Sequence, residues 1–193
     1  MSDSPTVLAI CGSLREQSHT RTACCAALDA AATAGAETDL MDLRAYDLPV
    51  FDADQADAGD APRLRSRLRE ADAIVLASPM YHGSYSSALK NALDYCGFDE
   101  FEGTTVGLLG VSGGSFPITT LEHLRSVARA LDAWVIPHQA AVPNAADRFA
   151  EGEFVDETVA ERVRTLGRRA VQYANIEPDP YSFESEENVG AED

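Results

Sequence analysis

Three observations predict an α/β fold with a five-stranded parallel sheet and helices on both faces. Short apolar runs alternate along the chain with stretches of helical periodicity, five of each. One run, Ala73-Ile74-Val75-Leu76-Ala77, is continuously apolar, the mark of a strand buried on both faces. Right-handed crossovers between parallel strands then distribute the helices over both sides of the sheet.

The elements follow in order. Thr6 to Cys11 reads as a strand that breaks at Gly12. The Ala-rich stretch from Thr20 to about Ala34 is a helix closed by Gly35. Glu37 to Asp42 is the second strand, followed by a loop with Leu48, Pro49 and Phe51 and an acidic Ala/Asp/Gly stretch. Pro62 to Ala71 is helical, with proline near the start, where its missing N–H costs little. The strand Ala73 to Ala77 leads to a helix from Ser86 to Tyr95, a strand from Thr104 to Val111 and a helix from Pro117 to Leu131. Ala133 to Ile136 is the fifth strand and Glu157 to Asn175 the last helix. Residues 1–176 thus read as one domain, and 177–193, rich in Pro, Asp, Glu and Ser, as an acidic, disordered tail.

A length of 193 residues suits one domain, and 45% hydrophobic residues exclude a wholly disordered chain. No apolar run approaches the roughly 20 residues that span a bilayer. The start, MSDSPTVLAI, lacks the basic region of a secretory signal, so a cytoplasmic protein without membrane insertion is expected. The net charge is -17, and among the 15 basic residues only Lys90 is a lysine. Such a surface repels nucleic acid and anionic lipid. It serves either a basic partner or solubility in concentrated salt; the even spread of acids and the near absence of lysine favour the salt, hence a halophilic source. The four cysteines (Cys11, Cys24, Cys25, Cys96) form no C-x-x-C pair and no zinc or iron–sulfur framework, and read as small buried hydrophobes.

In this fold class ligands sit beyond the carboxyl ends of the strands. After strand one comes CGSLREQSHT, residues 11–20. Ser13, Arg15, Ser18 and Thr20, with the free N–H groups of a helix N-terminus, match what a terminal phosphate needs. Helix capping by Ser18 or Thr20 accounts for one hydroxyl but not for three and an arginine. The nucleoside-triphosphate loop and the G-x-G-x-x-G fingerprint are both absent. A tyrosine-phosphatase reading fails too, because Arg15 lies four positions after Cys11 rather than six.

After strand three, SPMYHGS offers Pro79, Met80, Tyr81, His82 and Gly83, a surface for a planar ring that hydrogen-bonds to backbone. Taken singly, Tyr81 is equally a half-buried core residue and His82 a surface loop residue. Lys90 and Asp94 stand one helical turn apart, as a surface pair or a subunit contact. After strand four, Ser112, Gly113, Gly114 and Ser115 allow close backbone approach to a ligand, or make a plain flexible turn.

With these loops in view, the chain resembles the NADPH-dependent FMN reductase family, a flavodoxin-like group that includes quinone, azo-dye and chromate reductases. The resemblance runs from about Thr6 to Ile136 through Gly12-Ser13-Leu14-Arg15 with Ser18 and Thr20, Ser78 to Ser84, Leu89 to Asp94 and the pair Gly113-Gly114. It implies a three-layer sandwich with strand order 2-1-3-4-5. It also implies FMN as cofactor, its phosphate held by Ser13, Arg15, Ser18 and Thr20, with His19 among the cofactor-binding residues. Pro79, Met80, Tyr81, His82 and Gly83 would lie along the flavin ring, with Ser112, Gly113, Gly114 and Ser115 beside it. No catalytic side chain is required, because the flavin carries the chemistry.

The implied activity is two-electron transfer from NADPH or NADH to a quinone, flavin, azo or similar small-molecule acceptor, by a homodimer or homotetramer. A flavodoxin-like electron carrier is the second reading and a flavin-free regulator the third. Arg15 and the SPMYHGS loop favour the reductase over the carrier, and the intact phosphate loop speaks against the regulator. Three departures from the family pattern are Thr20 for Asn, Ser86-Ser87 for Pro-Gly and Tyr95 for Trp.

Overall fold

Alternation along Thr6–Cys11 (β1) sends Leu8 and Ile10 to one side of the sheet and Val7, Ala9 and Cys11 to the other. The same two-sided burial holds for Ala73–Pro79 (β3) and Thr105–Val111 (β4), each buried at all seven positions. The structure, a computed structural model, describes residues 4–174 and 176. Glu37–Asp42 (β2) and Trp134–Val142 (β5) complete a parallel sheet of order β2-β1-β3-β4-β5, as the resemblance implies.

The two faces are packed differently. One carries mostly small side chains (Ala9, Ala73, Ala77) and is covered by helices His19–Thr33 (α1) and Glu157–Tyr173 (α6). Small residues let those helices touch: a Cβ on Gly167 would lie 1.9 Å from the Ala27 carbonyl oxygen. The other face carries Leu8, Ile10, Ile74, Leu76 and Leu108 under Ala61–Arg69 (α2), Ser87–Asp94 (α3) and Ile118–Ala130 (α5). Each such Leu or Ile contributes about 1.5–3 kcal/mol by burial.

Several elements were not expected. A short helix, Phe98–Phe101 (α4), follows α3, and a two-stranded ribbon, Phe149–Ala150 (β6) with Glu153–Phe154 (β7), follows β5. β5 runs six residues beyond the predicted end at Ile136. Its Pro137 is tolerated because β5 is an edge strand and because Ile136, Pro137 and His138 bulge opposite the single residue Gly107. Cys11 and Cys24 are buried as predicted, whereas Cys25 is exposed, on the outer side of α1. Burial pushes the Cys96 thiol up to about 12. Asn175 and the acidic segment 177–193 lie outside the described residues.

Because β1, β3 and β4 are neighbours, Cys11 stands opposite Ala77 and Pro79 opposite Val111. Three loops far apart in sequence therefore open side by side at the carboxyl end of the central strands.

Candidate functional site

The loop after β1 is held rigidly. Gly12 N–H donates to the Ala77 carbonyl at 2.8 Å, and a Cβ there would lie 2.8 Å from Leu89 Cβ and 3.0 Å from Ser86 Oγ. Ser86 Oγ donates to the Gly12 carbonyl at 2.6 Å and caps α3 through Leu89 N–H at 3.2 Å. The Ser86 N–H in turn donates to Ser78 Oγ at 2.8 Å. A proline here, which the resemblance leads one to expect, would have no N–H for that last bond. The departure at Ser86 thus supplies a stitch between the first and third loops.

Ser18, not Thr20, caps α1: its Oγ accepts from Arg21 N–H at 3.1 Å. Among the described residues the backbone N–H groups of His19 and Thr20 have no acceptor, as expected for a first helical turn. That turn holds no acidic side chain, so the positive end of the helix dipole stands unneutralised. Ser13, Ser18 and Thr20 are buried around it. The two arginines of the loop divide the work. Arg21 is tied down, donating to the Arg15 and Glu16 carbonyls and pairing with Asp42 at 3.5 Å. Arg15 is exposed and forms no ion pair among the described residues.

His19 stacks on Phe149, with ring centroids 4.5 Å apart and planes 12° from parallel. Burial, and secondarily the Arg15 charge, holds its imidazole below the usual histidine range. Beneath the loop Cys24 shares a hydrogen bond with Cys11, which lowers the Cys11 thiol and raises that of Cys24.

The third loop folds as a tight hairpin. Tyr81 N–H donates to the Ser84 carbonyl at 2.9 Å and Ser84 N–H to the Tyr81 carbonyl at 3.1 Å. His82 and Gly83 between them take φ of 50° and 81°, left-handed at both central positions. Ser84 Oγ lies 3.0 Å from His123 Nδ1, which ties the hairpin to α5. Lys90 pairs with Asp94 on α3.

In the fourth loop Ser112 Oγ donates to the Gly114 carbonyl at 2.5 Å, and Ser112 N–H to the Val142 carbonyl at 2.9 Å. Ser115 Oγ reaches Asn144 at 3.3 Å. A Cβ on Gly113 or Gly114 would meet nothing within 4 Å.

These loops surround a cavity of about 190 Å³. Ten of the fourteen predicted residues line it: Ser13, Arg15, Ser18, His19 and Thr20 on one side; Pro79, Met80, Tyr81, Ser112 and Gly113 on the other. His82 and Gly83 form the hairpin tip, and Gly114 and Ser115 turn toward Asn144, so these four stand off the wall. Val111, Ala145 and Ala146 line it unpredicted. A larger groove of about 610 Å³ runs between α1, α6 and the β6–β7 ribbon. Its two guanidiniums, Arg164 and Arg168, are already paired with Glu157 and Glu161, so it offers no convergent chemistry.

A model of NADPH-dependent FMN reductases matches residues 5–147. The chain is also 33% identical over 187 residues to an FMN-dependent NADPH-azoreductase of Staphylococcus aureus, covering 89% of this chain and 96% of that protein. The chain belongs to the NADPH-dependent FMN reductase family. A second FMN-dependent NADPH-azoreductase, from Staphylococcus saprophyticus, is 50% identical over 78 residues, 40% of this chain and 42% of that protein. The fold is shared with a flavoenzyme NAD(P)H:(acceptor) oxidoreductase of Paracoccus denitrificans at a TM-score of 0.73 and 22% identity, covering 89% of this chain and all of that one. Like the family, this flavodoxin-like reductase is an oxidoreductase that uses FMN and NADPH. No helix among the described residues is long and apolar enough to cross a membrane.

Proposed function

We propose that the reductase holds FMN in the cavity between its first, third and fourth loops and passes two electrons from NADPH to a small organic acceptor of the quinone, flavin or azo kind. The observation that carries this reading is the convergence, at one cavity, of a guanidinium with no ion pair among the described residues, three buried hydroxyls and the open N-terminus of α1. That donor set suits a dianionic phosphate, and the space above Gly113 accepts a flat group against backbone.

Ser13, Ser18, His19 and Thr20 would surround the phosphate, and Arg15 would neutralise it. Pro79, Met80, Tyr81, Ser112 and Gly113 would support the ring, with His82, Gly83, Gly114 and Ser115 shaping the loops that carry them. The cavity is smaller than the roughly 300–1,000 Å³ of a pocket that encloses a drug-sized ligand. A cofactor of FMN's size is therefore gripped along part of its length and stays open to a second molecule. Bound FMN supplies the redox chemistry, so that NADPH, a proton and the acceptor become NADP⁺ and the doubly reduced acceptor. The protein contributes placement, charge neutralisation and an uncovered side.

The acid-rich surface supports function in concentrated salt, and α3, with Lys90, supports a contact in a homodimer or homotetramer. The decisive experiment is to purify the protein with FMN and add NADPH without oxygen. Bleaching of the yellow colour, followed by reoxidation with a quinone, is expected. A protein that retains no FMN, or one that dithionite bleaches and NADPH does not, overturns the reading.

A further inference from the structure

The third and fourth loops lack charge in a chain that is 24% charged. Residues 80–86 and 112–117 contain no Asp, Glu, Lys or Arg. Their exposed side chains are Tyr81, His82, Ser115 and Phe116, of which the two large apolar ones, Tyr81 and Phe116, are 49% and 77% exposed. The backbone at Phe116 is constrained by its neighbours. Pro117 restricts its backbone to extended conformations and is itself buried, its carbonyl lying 3.5 Å from where a Cβ on Gly110 would stand. In the first turn of α5, Thr119 reaches Met80 Sδ at 3.6 Å, and Met80 lines the cavity. Phe116 thus lies midway along the chain between Gly113, on the cavity wall, and Thr119, which touches the cavity-lining Met80.

We propose that Phe116 and Tyr81 form an uncharged aromatic rim that selects planar acceptors bearing no negative charge on the ring itself. The inference rests on the cofactor placement above and narrows the acceptor class. A neutral ring covering Phe116 gains the burial and aromatic contact that water now denies it. A sulfonated ring or a metal oxyanion brings a charge that must be desolvated, and neither loop offers a lysine or arginine to meet it, the one ionisable cation there being the imidazole of His82. Arg15, the cation on the cavity wall, is committed to the phosphate.

Two measurements on the FMN-loaded protein test this. The first is calorimetric binding of 2-naphthol and naphthalene-2-sulfonate to the oxidised protein. The second is anaerobic reoxidation of photoreduced protein by 1,4-naphthoquinone and by its 2-sulfonate, each taking two electrons and two protons to the hydroquinone. The neutral ligand should bind about tenfold more tightly, and Phe116→Ala should weaken it about five- to tenfold, within the range an aromatic contact supplies. The sulfonate should change less than about twofold, and Ser115→Lys should improve it. Equal handling of both ligands in the parent protein overturns the proposal. So does an equal loss of both in Phe116→Ala, above all if that variant dissociates an oligomer on light-scattering chromatography, which would make Phe116 a subunit contact. Under light a sacrificial donor, EDTA, supplies the two electrons and is itself oxidised, so a failure of NADPH to bleach the flavin would overturn the proposed electron transfer and leave these readings standing. A protein that takes up no FMN overturns both.

Discussion

The first loop and the fourth loop border one cavity and are built by opposite rules. In the first, Gly12 has no room for a methyl group, Ser86 bridges to its carbonyl, Ser18 caps the following helix and Arg21 braces the backbone. In the fourth, Gly113 and Gly114 face open space and Phe116 stands in water. Rigidity on one side suits a resident group, because donors already in place lose little entropy when it binds. Openness on the other suits a visitor that must come and go.

The largest expected effect that would break this contrast comes from Gly12→Ala. Its Cβ would collide with the Leu89 Cβ, the Ser86 hydroxyl and the Ala77 carbonyl, so a loss of about 1–3 kcal/mol in urea unfolding is expected, with loss of FMN. Unchanged stability would show that the first loop is not rigid. Arg15→Ala should weaken FMN about ten- to hundredfold in an equilibrium titration while leaving the melting temperature of the apoprotein in place, since Arg15 forms no ion pair within the described fold. Retention equal to the parent would remove the phosphate from this loop. Ser86→Ala should cost about 1–2 kcal/mol, because it removes both a helix cap and the tie to Gly12.

A smaller effect is expected from pH. The His19 imidazole is depressed in the folded protein, so the unfolded chain takes up its proton first as pH falls. Its contribution to the stability of the apoprotein is full above the ordinary histidine range, about 6.5, and is lost as pH falls through the lower folded value. His19→Phe keeps the stack on Phe149 and should flatten the melting temperature just below pH 6.5; an unaltered slope would assign that dependence to other groups. The smallest effect is Gly113→Ala, which should change stability by less than about 0.5 kcal/mol, since the added methyl touches nothing in the protein. A large loss there would mean that the fourth loop is as tightly built as the first.

The five strands, the longer helices and most of the first loop were legible because they rest on signals within a few residues: an apolar run, a cap, a glycine at the end of a strand. The strand order came only with the family resemblance. The extension of β5 was not legible, since Pro137 reads as a stop and only the edge position and the bulge against Gly107 permit it. Ala145 and Ala146 were missed because alanine carries no chemical signature, and only their place after β5 brings them to the cavity. The stack of His19 on Phe149 joins residues 130 apart, and neither announces the other.

By itself the sequence determined the alternation that makes the sheet, the family and the residue types that can hold a phosphate, since all of these are local patterns of polarity and size. Only the tertiary structure decided that Arg15 forms no ion pair among the described residues while Arg21 is spent on its own loop, and that Gly12 is crowded while Gly113 is open. Two arginines, or two glycines, have the same chemistry in a sequence. What separates them is which carbonyls, carboxylates and side chains the packing of distant segments places around each one.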